Sequence, residues 1–345
     1  MKILLGMSGG LDSTYAALKL QGEGHTVEGA IILMHEYTEV NEAKESAESL
    51  GIPLHIIDAR ELFCDKVVPD FINEYRCART PNPCIICNSE VKFKVLCDFA
   101  RENGFDKVAT GHYADIVTLD SENGVRYAVK RALDSKKDQT YMLWRLSQDC
   151  LSMLMFPLFD SKKEEIRKDA SERSLVAAER ADSQEICFIP SGDYASYIEE
   201  RTGPSKKGNF VDENGRILGE HKGIIHYTVG QRKGLGISLG SRAFVTNIDP
   251  ESGDVTLSLD NPPVDEFRVV SMVFSGMTEP KVGDVRRLGV KVRYQAPIAD
   301  ATVTFVSPSE AKVTLDSGAK AVADGQSAVF YDGDVLSCGG FIRRI

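Results

Sequence analysis

Three strings of this 345-residue chain hold residue types that do chemistry. Gly6-Met7-Ser8-Gly9-Gly10-Leu11-Asp12-Ser13 follows an apolar run and leads into the helical stretch Thr14-Tyr15-Ala16-Ala17-Leu18. Paired glycines let the backbone turn tightly and aim N–H groups at an anion. The helix N-terminus adds partial positive charge, and Ser8 and Ser13 add hydroxyl donors. The loop is therefore expected to bind phosphate. It lacks the Gly-Lys-Ser/Thr ending of a Walker A loop and the glycine spacing of a dinucleotide fingerprint. A plain glycine turn would explain Gly9-Gly10 but not the whole Ser-Gly-Gly-x-Asp-Ser string. Asp12 suits two roles, orienting Mg²⁺ or capping the helix.

The second string, Thr80-Pro81-Asn82-Pro83-Cys84-Ile85-Ile86-Cys87-Asn88, precedes a helix carrying Lys92 and Lys94. Two prolines stiffen the approach. A thiol just ahead of a helix start has its thiolate stabilised by the helix dipole, which marks Cys87 as the nucleophile candidate. The third string, Asp182-Ser183-Gln184-Glu185-Ile186-Cys187-Phe188, places Cys187 100 residues beyond Cys87. The other five cysteines, Cys64, Cys77, Cys97, Cys150 and Cys338, read as core or surface residues. The Cys84–Cys87 pair could hold zinc, although no second pair or nearby His-x-x-x-His completes four ligands, or could be a thioredoxin-like redox pair, although the flanks differ. Cys84, Cys87 and Cys187 together could hold a [4Fe-4S] cluster with one iron left open.

These strings need elements to position them. Lys2 to Met7, Val27 to Met34, Leu54 to Asp58 and Lys107 to Thr110 are short apolar runs. Helical stretches lie between them, among them Asn41 to Leu50, closed by Gly51, and Ser89 to Asn103, closed by Gly104. That alternation predicts an α/β fold with a doubly wound parallel sheet. Met7-Ser8, Met34 and Gly111-His112 should then converge beyond the carboxyl ends of its strands. From Asp115 to Arg180 the pattern is less regular, with a helix expected over Ser161 to Arg180. After Pro190, turn signals such as Asp212-Glu213-Asn214-Gly215, Asp249-Pro250-Glu251-Ser252-Gly253 and Asp316-Ser317-Gly318 separate β-branched runs. Two small all-β domains are expected there, parted near Asn261-Pro262-Pro263, the last a β-barrel. The resulting division is 1–192, 193–262 and 263–345.

Composition sets outer bounds. With 42% hydrophobic and 27% charged residues the chain is neither collagenous nor mainly disordered. No apolar run approaches the ~20 residues of a membrane-spanning helix. Eight cysteines without a signal peptide suit a reducing compartment, so a cytoplasmic protein without a membrane partner is expected. A net charge of −10 excludes a non-specific nucleic-acid coat. Any RNA must meet local basic clusters: Lys130-Arg131, Lys136-Lys137, Lys162-Lys163, Arg201 with Lys206-Lys207, Arg286-Arg287 and Arg343-Arg344.

The phosphate loop resembles that of the PP-loop ATP pyrophosphatases, whose fold is adenine nucleotide alpha hydrolase-like. The whole chain resembles the tRNA-specific 2-thiouridylases of the MnmA/TrmU family. The matching strings are Gly6 to Ser13, Thr80 to Phe93, Gly111-His112-Tyr113-Ala114, Lys137-Asp138-Gln139-Thr140-Tyr141, Ser183 to Ile189, His226 to Gly236, Val292-Arg293-Tyr294 and Gly325 to Gly333. The resemblance implies ATP and Mg²⁺ bound by Gly6, Met7, Ser8, Gly9, Gly10, Leu11, Asp12, Ser13, Met34 and Gly111. It implies a tRNA partner with uridine 34, not DNA, met by Asn82, Pro83, Cys84, His112, Lys137, Asp138, Gln139, Arg293, Tyr294 and Gln326. It implies that ATP adenylates the C2 oxygen of uridine 34 and that sulfur, supplied by a donor protein or as sulfide, replaces that oxygen. Many relatives carry Asp, a proposed acid/base, where this chain has Cys84. The substitution points toward the cluster-dependent branch, with Cys84, Cys87 and Cys187 as ligands. The alternative keeps Cys187 as a persulfide carrier and Cys87 as the thiol that resolves it. Outside this resemblance, two other readings stand: a PP-loop ligase that adenylates a small molecule, or a non-catalytic iron-sulfur or nucleotide sensor that binds RNA.

Overall fold

The structure, a computed structural model, describes residues 1–121, 124–180, 186–237 and 242–345. Its first half alternates strand and helix: β1 (Lys2–Gly6), α1 (Leu11–Gly22), β2 (Thr26–Leu33), α2 (Val40–Leu50), β3 (Leu54–Asp58) and α3 (Arg60–Arg76). A continuous helical run follows, made of α4 (Pro83–Ile86), a π-helical turn (Cys87–Lys92) and α5 (Phe93–Glu102). Next come β4 (Lys107–Thr110), a hairpin of β5 (Ala114–Ser121) and β6 (Gly124–Arg131), α6 (Gln148–Leu151), β7 (Leu154–Met155), α7 (Lys163–Glu172) and α8 (Tyr194–Thr202).

Five parallel strands form the first sheet in the order β3-β2-β1-β4-β7. The chain leaves β1 toward β2 on one side and returns to β4 on the other. A crevice therefore opens beyond the carboxyl ends of β1 and β4, the place where doubly wound sheets bind ligands. Ile3, Leu4 and Leu5 of β1 are wholly buried, as a strand covered on both faces requires.

A second sheet of β8 (Gly208–Val211), β9 (Ile217–His221), β10 (Phe244–Ile248) and β11 (Val255–Ser258) runs in the order β10-β11-β8-β9 around Phe210, Tyr227, Val245 and Leu257. The last six strands are β12 (Val264–Val273), β13 (Val285–Lys291), β14 (Ala299–Ser307), β15 (Glu310–Ala319), β16 (Ser327–Asp332) and β17 (Val335–Arg344). They follow the order β12-β15-β14-β13-β16-β17, and β12 pairs back onto β17, which closes a six-stranded barrel. Closure removes both sheet edges. Alternate residues of β14, Ala301, Val303 and Phe305, point into its core.

The barrel is joined to the first half of the chain. The β5–β6 hairpin continues the barrel sheet through Val335 and Lys130, and one apolar core holds Trp144 together with Val329, Tyr331 and Leu336. Trp144 Nε1 donates to Ser327 Oγ at 3.0 Å, and Tyr141 donates its hydroxyl to the Ser327 carbonyl at 2.9 Å.

Several expectations are corrected. The helix expected over Ser161–Arg180 ends at Glu172, because Ser174 takes a left-handed φ of 54°. The helix expected from Ser89 begins at Pro83, where proline suits the first turn. The stretch after Pro190 is not all strand, since α8 precedes the second sheet. Among the described residues no helix is long and apolar enough to cross a membrane.

Candidate active site

The phosphate loop sits where the sheet predicts. Met7 N–H donates to the Ala30 carbonyl of β2 at 2.8 Å, fixing the turn out of β1. Gly9 has φ 84°, and a Cβ there would stand 2.4 Å from the backbone carbon of Glu42, so only glycine lets the loop lie against α2. Gly111 is constrained from the other side: its Cβ would stand 2.7 Å from the Asp12 carbonyl carbon and 2.8 Å from Ser13 N. The loop after β4 thus abuts the start of α1. Ser13 is buried and donates to the Gly10 carbonyl at 3.1 Å, while exposed Ser8 lies 3.3 Å from Ser13 Oγ. Met7 and Leu11 are buried, 2% and 3% exposed, and can offer a ligand their backbone alone.

Two cations that the sequence did not single out for this loop serve it. Lys163, read as part of a surface cluster with Lys162, is buried, and its Nζ donates to Asp12 Oδ1 at 2.6 Å. Tyr113 donates its hydroxyl to the same oxygen at 2.8 Å. Asp12 therefore receives two donors from outside α1, and Gly10, not Asp12, occupies the N-cap. Arg180 Nη1 donates to the Gly9 carbonyl at 2.5 Å and to the Glu42 carbonyl at 3.1 Å, clamping the loop to α2. A lone lysine or arginine in sequence carries no mark of such burial.

The thiols lie on the helical run after α3 and on the segment before α8. Asn82 Oδ1 accepts from Cys84 N at 3.2 Å, capping α4, and Pro83 fills its first position. Cys87 lies four residues inside the helical run, not ahead of a helix, so the expected dipole stabilisation of its thiolate does not apply. Burial instead pushes its thiol up to about 12, against the opposing pull of Lys92; nearby Cys187 and Cys84 raise it further. Cys84 and Cys187 reach solvent, yet crowding around their sulfurs raises both thiols, and Lys92 opposes that rise in each. Lys92, at the end of the π-helical turn, is thus the cation common to all three. Cys87 donates its S–H to the Met34 thioether at 3.5 Å, which joins the end of β2 to the thiol pocket. Among the described residues no three His, Cys, Asp or Glu side chains stand close enough to hold a metal ion. The three thiols are near neighbours without forming a ligand set in this geometry. Asp182, Ser183, Gln184 and Glu185 of the third string lie outside the described residues.

The family model described as tRNA methyl transferase HUP domain matches residues 1–191; models described as tRNA methyl transferase PRC-barrel domain and Aminomethyltransferase beta-barrel domain match 195–258 and 264–342. The tRNA-specific 2-thiouridylase MnmA of Clostridium acetobutylicum is 40% identical, over 99% of this chain and 99% of its own length. Those of Acetivibrio thermocellus and Lachnoclostridium phytofermentans are 40% and 41% identical at the same coverage. The chain belongs to the MnmA family.

The residues that the MnmA resemblance assigns to tRNA fall in distinct settings. His112 is held between Phe93 and Phe156, its Nδ1 2.7 Å from Thr110 Oγ1; burial first, then Lys92, push it down to about 3, which keeps the ring neutral. Asp138 is buried, with Arg131 Nε at 3.2 Å, Lys291 Nζ at 3.8 Å and Thr140 N–H at 3.1 Å. Gln139 Oε1 accepts from Tyr113 N at 3.0 Å. Gln326 Nε2 donates to the Thr80 carbonyl at 2.8 Å, and Thr80 N–H donates to the Asp324 carbonyl at 2.7 Å. A barrel loop thereby grips the segment that leads to Asn82 and Cys84. Tyr294 extends the barrel toward the thiols: its ring lies 6.2 Å from that of Tyr141, and Cys84 is among the groups that raise its hydroxyl. Asp138, Gln139 and Gln326 spend these side-chain contacts on the protein itself; Arg293 is exposed, and Lys137 and Tyr294 are half-buried, with Lys137 opposing the rise of the Tyr294 hydroxyl.

Proposed function

We propose that this chain uses ATP to activate the C2 oxygen of uridine 34, the wobble base of tRNA, and replaces that oxygen with sulfur, in the cytoplasm. One observation carries the reading: Lys92 acts on all three thiols and on His112, the neighbour of Gly111, which abuts the start of α1. The matching family descriptions speak of methyl transfer and the relatives' names of thiolation. Three neighbouring thiols favour thiolation.

The backbone N–H groups of Gly9 and Gly10, the start of α1 and the hydroxyls of Ser8 and Ser13 would hold the triphosphate. Asp12, oriented by Lys163 and Tyr113, would share Mg²⁺ with phosphate oxygens, a hard-oxygen donor set that suits that ion. Adenylation turns the C2 oxygen into a good leaving group and releases pyrophosphate. The outer sulfur of a Cys187 persulfide attacks C2 as AMP leaves, and Cys87 then attacks the Cys187 sulfur, freeing the thiocarbonyl and leaving a Cys87–Cys187 disulfide for an external thiol to reduce. Asn82, Pro83, His112, Lys137, Arg293 and Tyr294 would border the tRNA, while Asp138, Gln139 and Gln326 would act by holding that surface in place. The same reading divides the chain into 1–192, 193–262 and 263–345, with the β5–β6 hairpin lent to the barrel.

A second reading is favoured by the third thiol. Cys84, Cys87 and Cys187 are chemically suited to hold three irons of a [4Fe-4S] cluster if they draw closer, and such a cluster would offer a fourth iron open to sulfide. The experiment incubates anaerobically purified protein with ATP, Mg²⁺, tRNA bearing uridine 34 and either sulfide or a low-molecular-weight persulfide with a thiol reductant, then measures pyrophosphate, iron and 2-thiouridine. Pyrophosphate only with tRNA, and thiolation at position 34, are expected. Pyrophosphate without tRNA would indicate a small-molecule ligase, and RNA binding without pyrophosphate a sensor. Full thiolation by iron-free protein from the persulfide, but not from sulfide, leaves the two-cysteine route.

A further inference from the structure

The helical run that carries Cys84 and Cys87 continues into α5, which bears a third thiol that no step above uses. Cys97 on α5 and Cys150 on α6 are 53 residues apart in sequence, yet their sulfurs stand 3.5 Å apart. Both are buried, 2% and 8% exposed. Arg101, one turn beyond Cys97, donates through Nη2 to Asp149 Oδ2 at 2.5 Å and ties α5 to α6 beside the sulfurs. The sulfurs share one S–H hydrogen bond in which either can donate; with Cys150 donating, and aided by Arg101, the Cys97 thiol is held below the ordinary range. Cys97 is therefore the better nucleophile of the two and Cys150 the partner placed to resolve it.

We propose that Cys97 and Cys150 form a reversible intramolecular disulfide site that responds to peroxide. The sulfurs need to close by about 1.5 Å to reach the ~2.05 Å of a disulfide. The Cys97 thiolate attacks one peroxide oxygen, the O–O bond breaks, and the departing hydroxide takes a proton to become water. Cys97 is then a sulfenic acid. The Cys150 sulfur, having given its proton to the medium, attacks the Cys97 sulfur; the S–O bond breaks and hydroxide leaves as a second water. Two thiols lose two electrons in all, and one peroxide gains them. A thiol reductant reverses the bond. The new link fastens α5, and with it the helix of Cys84 and Cys87, to α6. It rests on no assumption about the reaction.

The test exposes the intact, reductant-free protein to hydrogen peroxide, blocks remaining thiols with iodoacetamide after unfolding, and maps peptides without reduction. The expected product joins the Cys97 and Cys150 peptides, two hydrogens lighter than their sum, while Cys338, wholly buried without a thiol neighbour among the described residues, stays a blocked free thiol. Dithiothreitol should restore both thiols. Oxidised protein should also melt at a higher temperature than reduced protein, since the cross-link restrains the unfolded chain, and Cys150→Ala should abolish that difference. Recovery of Cys97 and Cys150 as alkylated thiols, or their cross-linking to Cys87 or Cys187 instead, overturns the proposal. The peptide map of the parent decides it even if the alanine variant fails to fold.

Discussion

Cys87 should be a slow nucleophile in the resting protein. Its thiol is pushed from an ordinary 9.0 up to about 12. Below pH 9 that cuts the thiolate population about 1,000-fold. A more basic thiolate is intrinsically more reactive, with a Brønsted slope of ~0.4–0.5, which returns about 15- to 30-fold. The net expectation is alkylation about 30- to 60-fold slower than in the unfolded chain, before any further slowing from buried access. Lys92→Met removes the opposing cation and should slow Cys87 further. The assay follows iodoacetamide labelling of Cys87 by peptide mass spectrometry from pH 7 to 11, with urea-unfolded protein as reference. A labelling midpoint below pH 9, or no response to Lys92→Met, would refute the reasoning that burial controls this thiol.

Three further outcomes follow from the same geometry. Removing buried Asp138 leaves Arg131 and Lys291 facing one another, so Asp138→Ala should cost about 3–5 kcal/mol in denaturant unfolding; a loss under about 1 kcal/mol would show that the group is not a buried tie. His112 is pushed down to about 3 in the folded protein and is near 6.5 unfolded, so its contribution is fully present above pH 6.5 and lost progressively as pH falls toward 3. By pH 5 that is about 2 kcal/mol, and a His112→Asn variant that loses as much stability as the parent between pH 7.5 and 5 contradicts it. Lys137→Ala and Arg293→Ala should each weaken tRNA binding and reduce the slope of log affinity against log salt by about one, whereas unchanged slopes would place neither residue on a phosphate.

Local chemistry was legible without coordinates. Apolar runs and glycine closures located β1 to β4 and α2 within a residue or so, because a parallel strand buried on both faces and a helix ended by left-handed Gly51 are written in neighbouring residues. The phosphate loop was legible for the same reason. By contrast, α3 was missed although Phe63, Val67, Phe71 and Tyr75 recur every fourth residue, because Pro69 stands inside it and reads in sequence as a helix breaker. Burial also lies beyond a linear reading. It makes Lys163 a partner of Asp12 and turns Asp138 inward. It raises the Cys87 thiol that the expected place ahead of a helix would have lowered, and sets Cys97 against Cys150 across 53 residues. Residue type and spacing state which groups a chain possesses. Only the packing of distant segments decides which of them lose water, and desolvation sets the charge, reactivity and partner of each.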